Sequence, residues 1–403
     1  MKQTLTQRLT PLLQQRQAQA LYRRRPLVFS AQTPEMQING LTVINFSAND
    51  YLGLANHPEL KHSLIQSLDE LSIGSGAAHL ITGHHLQHHL LEDELADWLG
   101  VERVLLFSTG YMANLAVLQT LMQKDDLILA DKLNHASLID GAQHSAAEFK
   151  RYPHNDMKAL ARRLQQAGSR QTLIVSDGVF SMDGDLAPLD QLHTLAQQHQ
   201  SWLFIDDAHG LGVLGEQGKG SFSHFQVPKT ENTCLMGTLG KAFGVSGAFV
   251  AGSEILIESL IQFARPYIYT TAMSPLMAQV ARTALKLVKT ADAQRAQLQQ
   301  HIQHFKTGCQ QLGLKLLPSP TAIQPLLLGD SQTALDWSQQ LKKAGFWVTA
   351  IRPPTVPQNS ARLRITLSAA HTSEQLDRLL AALASLQAGK PTNRNSTNQT
   401  QKA

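Results

Sequence analysis

The chain has 403 residues, of which 43% are hydrophobic and 16% are charged. These proportions are typical of a folded globular protein and exclude an intrinsically disordered chain, and the length predicts a large domain with a smaller companion. The formal net charge of +4, from 35 basic and 31 acidic side chains, is too small to indicate nucleic-acid binding.

Cysteine content and hydropathy indicate a reducing cytoplasm. The two cysteines, Cys234 and Cys309, cannot form a disulfide framework for a chain of this length. The N-terminal residues are too polar for a secretory signal peptide, and no apolar run is long enough to cross a membrane. A basic run, Arg23-Arg24-Arg25, is either a solvated helix end or an anion site at the mouth of a pocket.

The first two thirds of the chain predict an α/β fold. Residues 4–25 have the spacing of an amphipathic helix, residues 41–46 read as a short strand, and residues 90–99 are helical. Apolar runs that predict buried strands follow at 104–107, 127–130, 172–176, 202–206 and 247–251. Helical or loop-rich stretches separate most of them, which indicates a doubly wound, mainly parallel sheet with its chemistry at the carboxyl ends of the strands.

A second, smaller α+β domain is predicted near the C-terminus. After a helical stretch at 275–312, the apolar runs 322–328, 346–351 and 362–367 alternate with helical patterns at 332–344 and 373–387. The predicted division is an N-terminal helix and strand segment at 1–48, a large domain at 49–290, a small domain at 291–388 and a disordered polar tail at 389–403.

Two motifs at predicted strand ends carry the chemistry. In FIDDAHG, Asp206 ends a buried strand, where a carboxylate needs a cation or several donors. In GTLGKAFG, Lys241 stands among glycines and small apolar residues, and a desolvated lysine becomes a nucleophile for carbonyls. Ala242 replaces the Ser or Thr that a Walker motif needs. An aldehyde-bearing cofactor, pyridoxal phosphate, requires such a lysine and carboxylate together with phosphate donors.

Two other patterns suggest different chemistry and are weaker. Gly210, Gly212 and Gly215 satisfy a dinucleotide-binding spacing, but a Gly/Ser-rich loop and not a helix follows them. In HHLQHH, helical spacing pairs His84 with His88 and His85 with His89, which is a zinc-binding geometry. A polar helix face with one functional histidine is the preferred interpretation, and no metal site is predicted.

Two further segments have ordinary structural alternatives. STGYMAN (108–114) follows a strand and opens a helix, so it is either an anion cradle or a plain helix cap. His135 follows the apolar run LILADKL and would by itself be interpreted as a satisfied structural histidine.

Taken together, these motifs resemble the α-oxoamine synthase family of fold-type-I pyridoxal-phosphate transferases, across residues 1–388. The matching segments are SANDYLGL (47–54), GSGAAHLITG (74–83), FSTGYMAN (107–114), LNHASLIDG (133–141), SDGVFSMDGDLAPL (176–189), IDDAHGLGVLGEQGKG (205–220), GTLGKAFG (237–244) and IRPPTVP (351–357). Two departures are Asp177, where some members have Glu, and Ala77-Ala78, where others have glycine and serine.

The resemblance implies a role for each matching residue. It makes Lys241, His135 and Asp206 catalytic: Lys241 carries the cofactor, Asp206 holds its ring nitrogen protonated, and His135 stacks on its ring. Cofactor contacts are implied for Gly110, Tyr111, Ser181, Asp206, His209, Thr238 and Lys241. Substrate contacts are implied for Arg23, Asn49, His135, Thr355 and Arg364, where Arg364 receives the amino-acid carboxylate. His88 corresponds to a histidine on the helix after the glycine-rich turn.

Within the family, the likeness is greatest to the branch that condenses L-alanine with a pimeloyl thioester, carried by coenzyme A or acyl carrier protein, in biotin biosynthesis. It implies a homodimer, with Thr270 or Thr271 as a phosphate contact from the neighbouring chain. The alternatives are a sibling activity such as glycine C-acetyltransferase or 5-aminolevulinate synthase, a nicotinamide dehydrogenase, and a noncatalytic binding subunit. The presence of Lys241 argues against the last of these.

Overall fold

The computed structural model describes residues 2–19 and 21–389, and its elements fall into three groups along the chain. The first group comprises α1 (Leu5–Ala18), β1 (Glu35–Ile38) and β2 (Leu41–Asn45). The second comprises α2 (Pro58–Ser67), α3 (Leu86–Leu99), β3 (Arg103–Phe107), α4 (Gly110–Leu121), β4 (Leu127–Asp131), α5 (Ala136–Gln143), β5 (Glu148–Tyr152), α6 (Met157–Ala167), β6 (Thr172–Asp177), α7 (Leu189–Gln198), β7 (Trp202–Asp206), α8 (Ser221–His224), β8 (Thr233–Thr238), β9 (Ala248–Gly252), α9 (Glu254–Phe263), α10 (Arg265–Ile268) and α11 (Pro275–Lys289). The third comprises α12 (Asp292–Gln311), β10 (Ile323–Gly329), α13 (Ser331–Lys343), β11 (Phe346–Trp347), β12 (Thr349–Ile351), β13 (Ala361–Thr366) and α14 (Ser373–Ala388).

The N-terminal helix is shorter than the range 4–25 that the sequence predicts. Helix α1 begins after Thr4, whose hydroxyl accepts a hydrogen bond from the Gln7 N–H and so satisfies a donor that every helix start leaves free. No side chain of α1 is buried. The apolar stripe of this helix therefore has no partner among the described residues of its own chain.

A seven-stranded sheet in the order β3-β9-β8-β7-β6-β4-β5 forms the centre of the molecule. The pairs from β5 across to β8 are parallel, and β9 runs antiparallel to both of its neighbours. This confirms the predicted mainly parallel α/β sheet. Because helices cover both faces, strands such as β4 and β6 are buried at every position and read as continuous apolar runs.

Alternate side chains of each strand enter two different cores. In β6, Ile174 packs into a cluster that extends to the C-terminal domain. Its neighbours Leu173 and Val175 face the opposite side of the sheet, where α4 and α9 pack. This division follows from the two-residue period of a strand. It fixes which strand-end residues point toward the site.

The C-terminal domain has its own antiparallel sheet, in the order β10-β13-β12. Strand β11 pairs in parallel with β2, so the N-terminal segment and the C-terminal domain share a second small sheet. The domain boundaries after residues 48, 290 and 388 stay a prediction. Residues 390–403 of the predicted tail lie outside the described residues. Among the described residues, no helix is long and apolar enough to cross a membrane.

Candidate active site

The carboxyl ends of the parallel strands surround a cavity of about 190 Å³, at the edge of the sheet where α/β folds bind ligands. Asp177 and Asp206 pair as the last residues of β6 and β7. The cavity is lined by Gly110, Tyr111, Asn114, His135, Ser137, Asp177, Asp206, Ala208, His209, Met236, Thr238 and Lys241. The fold therefore brings together all of the predicted catalytic and cofactor-binding residues except Ser181.

Asp206 is held in the cavity by neutral donors. Its carboxylate accepts one hydrogen bond from Asn114 Nδ2 at 2.7 Å and another from the Ala208 N–H at 3.1 Å. Only 4% of the residue is exposed. A buried carboxylate with neutral donors still lacks a countercharge, so it favours a cationic group in the space that it faces.

The adjacent carboxylate, Asp207, faces away from the cavity. It accepts hydrogen bonds from the Ser221 N–H and the Ser221 hydroxyl, both at 2.6 Å. A Cβ at Gly210 or Gly220 would lie 2.1 Å from its oxygens, so the chain packs against this carboxylate with glycines. Burial raises the pKa of Asp207 to about 7. Asp207 thus stabilises the loop, while Asp206 faces the site.

Lys241 lies in the loop after β8, beside both strand-end carboxylates. Burial lowers the pKa of its amine to about 8, although the negative charges of Asp206 and Asp177 act in the opposite direction. The glycines around it are required by packing, since a Cβ at Gly237 would lie 2.3 Å from the Phe249 ring and one at Gly244 would lie 2.4 Å from a backbone nitrogen. At this pKa a larger fraction of the amine is unprotonated near neutral pH than in an ordinary lysine, which a nucleophile or base requires.

His135 caps helix α5 and lies over the cavity. Its Nδ1 lies 2.7 Å from the Ser137 hydroxyl, and its backbone N–H donates to Asp177 Oδ2 at 2.7 Å. Burial lowers the pKa of the imidazole, with Asp206 partly offsetting the effect. Because these contacts use Nδ1 and the backbone, Nε2 and the ring face stay available to a ligand.

The start of helix α4 forms the opposite wall. Thr109 caps this helix by accepting from the Met112 N–H at 3.2 Å, and Gly110 and Tyr111 are the first two helical residues. The first N–H groups of a helix have no intrahelical acceptor, which makes them donors to an anion. Gly110 also permits close packing, since a Cβ there would approach Met236 to 3.3 Å.

A hydrogen-bond network connects the cavity with the predicted substrate arginine. Tyr51 Oη lies 2.6 Å from His209 Nδ1 and donates to Asn49 Oδ1 at 3.3 Å. Arg364 donates to the same Asn49 oxygen at 3.1 Å and to the Ser181 carbonyl at 2.7 Å. Burial lowers the pKa of His209 well below its usual value and raises that of Tyr51 to about 12. The His209 imidazole is therefore neutral and the Tyr51 hydroxyl keeps its proton.

Two predicted substrate residues lie outside this group. Arg23 is exposed, and Thr355 is an exposed residue whose backbone N–H donates to the Arg352 carbonyl at 3.0 Å. Neither lines the cavity, so their substrate contacts stay predictions. Thr270 and Thr271 also lie outside the cavity. Thr271 forms an isolated antiparallel β-bridge with Ala78.

The dinucleotide spacing has a structural explanation. Gly212 and Gly215 adopt positive φ of 85° and 74°, and a Cβ at Gly212 would lie 2.7 Å from the Cβ of Ala242. A single 3₁₀ turn, Glu216–Gly218, follows them. No helix N-terminus is formed there to hold a pyrophosphate, so the geometry does not support a dehydrogenase.

The comparison with known proteins agrees with the geometry. A family model described as aminotransferase class I and II matches residues 42–383. An 8-amino-7-oxononanoate synthase from Hydrogenovibrio crunogenus is 69% identical over 96% of this chain and 97% of its own. A Sphingomonas wittichii serine palmitoyltransferase structure is 31% identical with a TM-score of 0.90, over 95% of this chain and 98% of its own. A structure described as SPT with PLP is 28% identical with a TM-score of 0.90 and the same coverage.

The chain belongs to the class I and II aminotransferase family and, within it, to the 8-amino-7-oxononanoate synthases. The cavity contains the groups that pyridoxal phosphate, the cofactor of this family, would need. Lys241 supplies the amine for its aldehyde, Asp206 the carboxylate for its ring nitrogen, and Gly110 and Tyr111 the N–H groups for its phosphate. The donor set therefore fits the cofactor.

Some residues of this synthase site are missed by motif reasoning. Asn114 Nδ2 donates to both Asp206 and Ser137, which links the carboxylate to the histidine cap. Asp177 anchors the backbone of His135, and Tyr51 joins His209 to Asn49. Asp177 carried a usable signal, because it directly follows the predicted strand 172–176, as a carboxylate at a strand end. Tyr51 lies in the matching segment SANDYLGL (47–54), but nothing in the sequence indicated its contact with His209, since that contact depends on a fold that joins distant segments.

Proposed function

We propose that this protein condenses L-alanine with a pimeloyl thioester, releasing CO₂ and the free thiol carrier and forming 8-amino-7-oxononanoate for biotin biosynthesis. The observation that carries the proposal is a lysine of lowered pKa beside a buried carboxylate, Lys241 and Asp206, in a cavity joined to Arg364 by hydrogen bonds. The similarity to the Hydrogenovibrio synthase over almost the whole chain supports the same substrates.

Pyridoxal 5′-phosphate is the cofactor, and it supplies an electron sink that makes the Cα–H bond of the bound amino acid acidic. Lys241 would hold the cofactor through its aldehyde carbon. When Nζ is a free amine, its pKa of about 8 would suit removal of the Cα proton near neutral pH.

Asp206 and His135 keep the cofactor in its reactive state. Asp206 accepts one hydrogen bond on each carboxylate oxygen and would present negative charge that holds a proton on the ring nitrogen. His135, fixed through Nδ1 and its backbone N–H, orients the ring and excludes water from that face. Its role is positioning and not obligatory proton transfer.

The two ends of the substrates are assigned to different residues. Arg364 is buried and donates to Asn49 and Ser181, and its guanidinium suits bidentate binding of the alanine carboxylate. Arg23 and Thr355 are assigned to the pimeloyl group, whose distal carboxylate needs a cationic or multi-donor partner. We place the active protein in the cytoplasm as a homodimer, with Thr270 or Thr271 completing the neighbouring chain's phosphate site.

A product assay over pairs of amino acids and acyl thioesters tests the proposed function. L-alanine with pimeloyl-CoA or pimeloyl-acyl carrier protein should give far more product than glycine with acetyl- or succinyl-CoA. Lys241→Ala should abolish turnover and the absorbance of lysine-bound cofactor. Faster turnover of glycine with a short acyl-CoA would instead assign the chain to a sibling activity, and an active Lys241→Ala variant would end the proposal.

Substitution of each arginine tests the substrate assignments. Arg364→Lys should weaken L-alanine binding first, because an ammonium cannot reproduce the two-pronged contact. Arg23→Ala should raise the KM for the pimeloyl thioester and leave the alanine-dependent absorbance change almost intact. Equal effects of both variants on both substrates would contradict the assignment.

A further inference from the structure

A cluster of histidines and a carboxylate lies at the start of helix α3, away from the reaction cavity. The prediction that His84, His85, His88 and His89 lie along one helix is wrong, because His85 is the N-cap and the helix begins at Leu86. His84 and His88 nevertheless lie close together. The structure forms a different grouping: ligand atoms of His84, His89 and Glu92 all lie within 4.8 Å of one another. None of these three lines the active-site cavity.

Glu92 presents a partly enclosed carboxylate oxygen to this grouping. Its Oε1 accepts a hydrogen bond from the Leu106 N–H at 3.0 Å, which fixes the carboxylate against strand β3. Its Oε2 faces His84 Nε2 at 3.9 Å, too far for a hydrogen bond. The Glu92 side chain is 12% exposed, so this oxygen is held where a cation would be favourable.

His84 is oriented by a second imidazole. Its Nδ1 lies 3.0 Å from Nδ1 of His79. His79 is the first residue of the tight π-helical turn His79–Gly83, and His84 directly follows that turn. Nε2 therefore points to Glu92 with its lone pair available when Nδ1 carries the proton. A histidine whose other ring nitrogen is hydrogen-bonded has the arrangement usual for metal ligands.

His89 completes the group from one helical turn before Glu92. The two residues are three apart on α3 and so lie on the same side of the helix. The His89 side chain is 62% exposed, and its nearest charged partner is Asp93, at 3.6 Å. This exposed side gives an ion an entry route and leaves room for water ligands.

We propose that His84, His89 and Glu92 form a divalent transition-metal site, for which Zn²⁺ is the fitting ion. Two imidazoles and one carboxylate with an open position are a ligand set that zinc accepts. Bonds of about 2.0–2.2 Å require the ligand atoms to move closer together than they lie now. Side-chain rotation of the exposed His89 supplies most of that movement. The hydrogen bonds from His79 and Leu106 form the supporting outer shell.

A neighbouring combination is excluded by its hydrogen bonds. His79, His84 and His88 also place ligand atoms within 4.8 Å. However, His88 Nδ1 accepts from the His85 N–H at 2.9 Å, and Nε2 donates to the Met273 carbonyl at 2.8 Å. With both nitrogens engaged and none of the residue exposed, His88 stabilises the start of α3 and is not a ligand.

Calorimetric titration of the untagged, chelator-treated holoenzyme with ZnCl₂ tests the site, since a filled cofactor cavity cannot compete for the ion. We expect one equivalent of zinc per chain. His89→Ala and Glu92→Gln should weaken binding by more than the roughly 10- to 100-fold caused by loss of an outer-shell partner. Glu92→Gln keeps an acceptor for Leu106, and His89 is exposed, so both variants should fold. His62→Ala, an exposed histidine on α2, is the matched control.

Cobalt provides a second measurement that does not depend on heats of binding. Co²⁺ added to the holoenzyme should produce visible d–d absorption, which zinc displaces and which His84→Ala and His89→Ala lack. Turnover should be unchanged in His89→Ala, because the site is separate from the reaction. Absence of stoichiometric zinc binding, or equal binding by Glu92→Gln and the parent protein, would overturn the proposal.

Discussion

At the scale of single residues, the neighbouring carboxylates Asp206 and Asp207 have opposite surroundings. Asp206→Asn should keep the fold and lower kcat by about 10²–10³, the usual loss when an electrostatic partner of the reacting group is removed. Asp207→Asn should retain most turnover and lose stability, since its contacts are to Ser221. Steady-state kinetics and thermal unfolding of both variants measure the difference. The reverse ranking of the two kcat values would show that Asp207 serves the cofactor.

Asn114 is the residue that links the two sides of the cavity. It donates to Asp206 at 2.7 Å and to Ser137 at 2.8 Å, and Ser137 in turn contacts His135. Asn114→Leu leaves a buried carboxylate without one donor, which costs about 1–3 kcal/mol. We therefore expect pyridoxal phosphate to dissociate more readily, by about 10- to 100-fold, as measured by fluorescence titration of the apoprotein.

Two comparisons distinguish positioning by Asn114 from simple packing. Asn114→Gln should restore part of the cofactor affinity, because it keeps the donor. The same conservative change should also restore part of the absorbance of the bound cofactor. Full cofactor affinity in Asn114→Leu would contradict the role of this side chain.

At the scale of elements, His154 ties the end of β4 to the loop before α7. It lies 3.0 Å from Asp131 and 2.8 Å from Asp185. Burial alone would lower the pKa of His154, but hydrogen bonds to both carboxylates raise it to about 10. The folded state thus holds the proton of His154 more tightly than the unfolded chain does. Its stabilisation is complete below about 6.5, is lost as pH rises, and is gone above about 10.

His154→Gln should make this contribution disappear. At pH 6 we expect a loss of about 2 kcal/mol in the free energy of unfolding, the size of a hydrogen bond to a charged group. The parent and variant should converge as pH approaches 10. Denaturant unfolding at several pH values measures both curves. A constant gap between them from pH 6 to 10 would show that the effect is packing and not charge.

At the scale of the whole molecule, helix α1 leaves apolar side chains uncovered. Leu5, Leu9, Leu12 and Leu13 are 47–78% exposed and share one side of the helix at three- and four-residue spacing. Such a stripe favours association. We expect a homodimer in sedimentation velocity, weakened by Leu9→Glu together with Leu13→Glu. Gln14→Glu, on the opposite side of α1, is the control, and an active monomeric parent protein would contradict the assembly.

The sequence by itself determined the fold class and the chemical centre. Fully buried strands such as β4 and β6 are largely apolar, so their apolar runs are visible without a structure. Lys241 and Asp206 were identifiable because a charged residue amid glycines or at a buried strand end has few structural explanations. Strand β5 was missed because it lies at the sheet edge, where exposed charges such as Glu148 and Lys150 replace the apolar pattern.

Tertiary structure alone decided which distant residues meet. The contact of Tyr51 with His209 and those of Arg364 with Asn49 and Ser181 join segments far apart in the chain. It also decided that His84 and His85 stand outside α3, because helix boundaries depend on capping hydrogen bonds that residue spacing does not contain. Local patterns record burial and backbone preference, whereas long-range contacts arise when the whole chain packs.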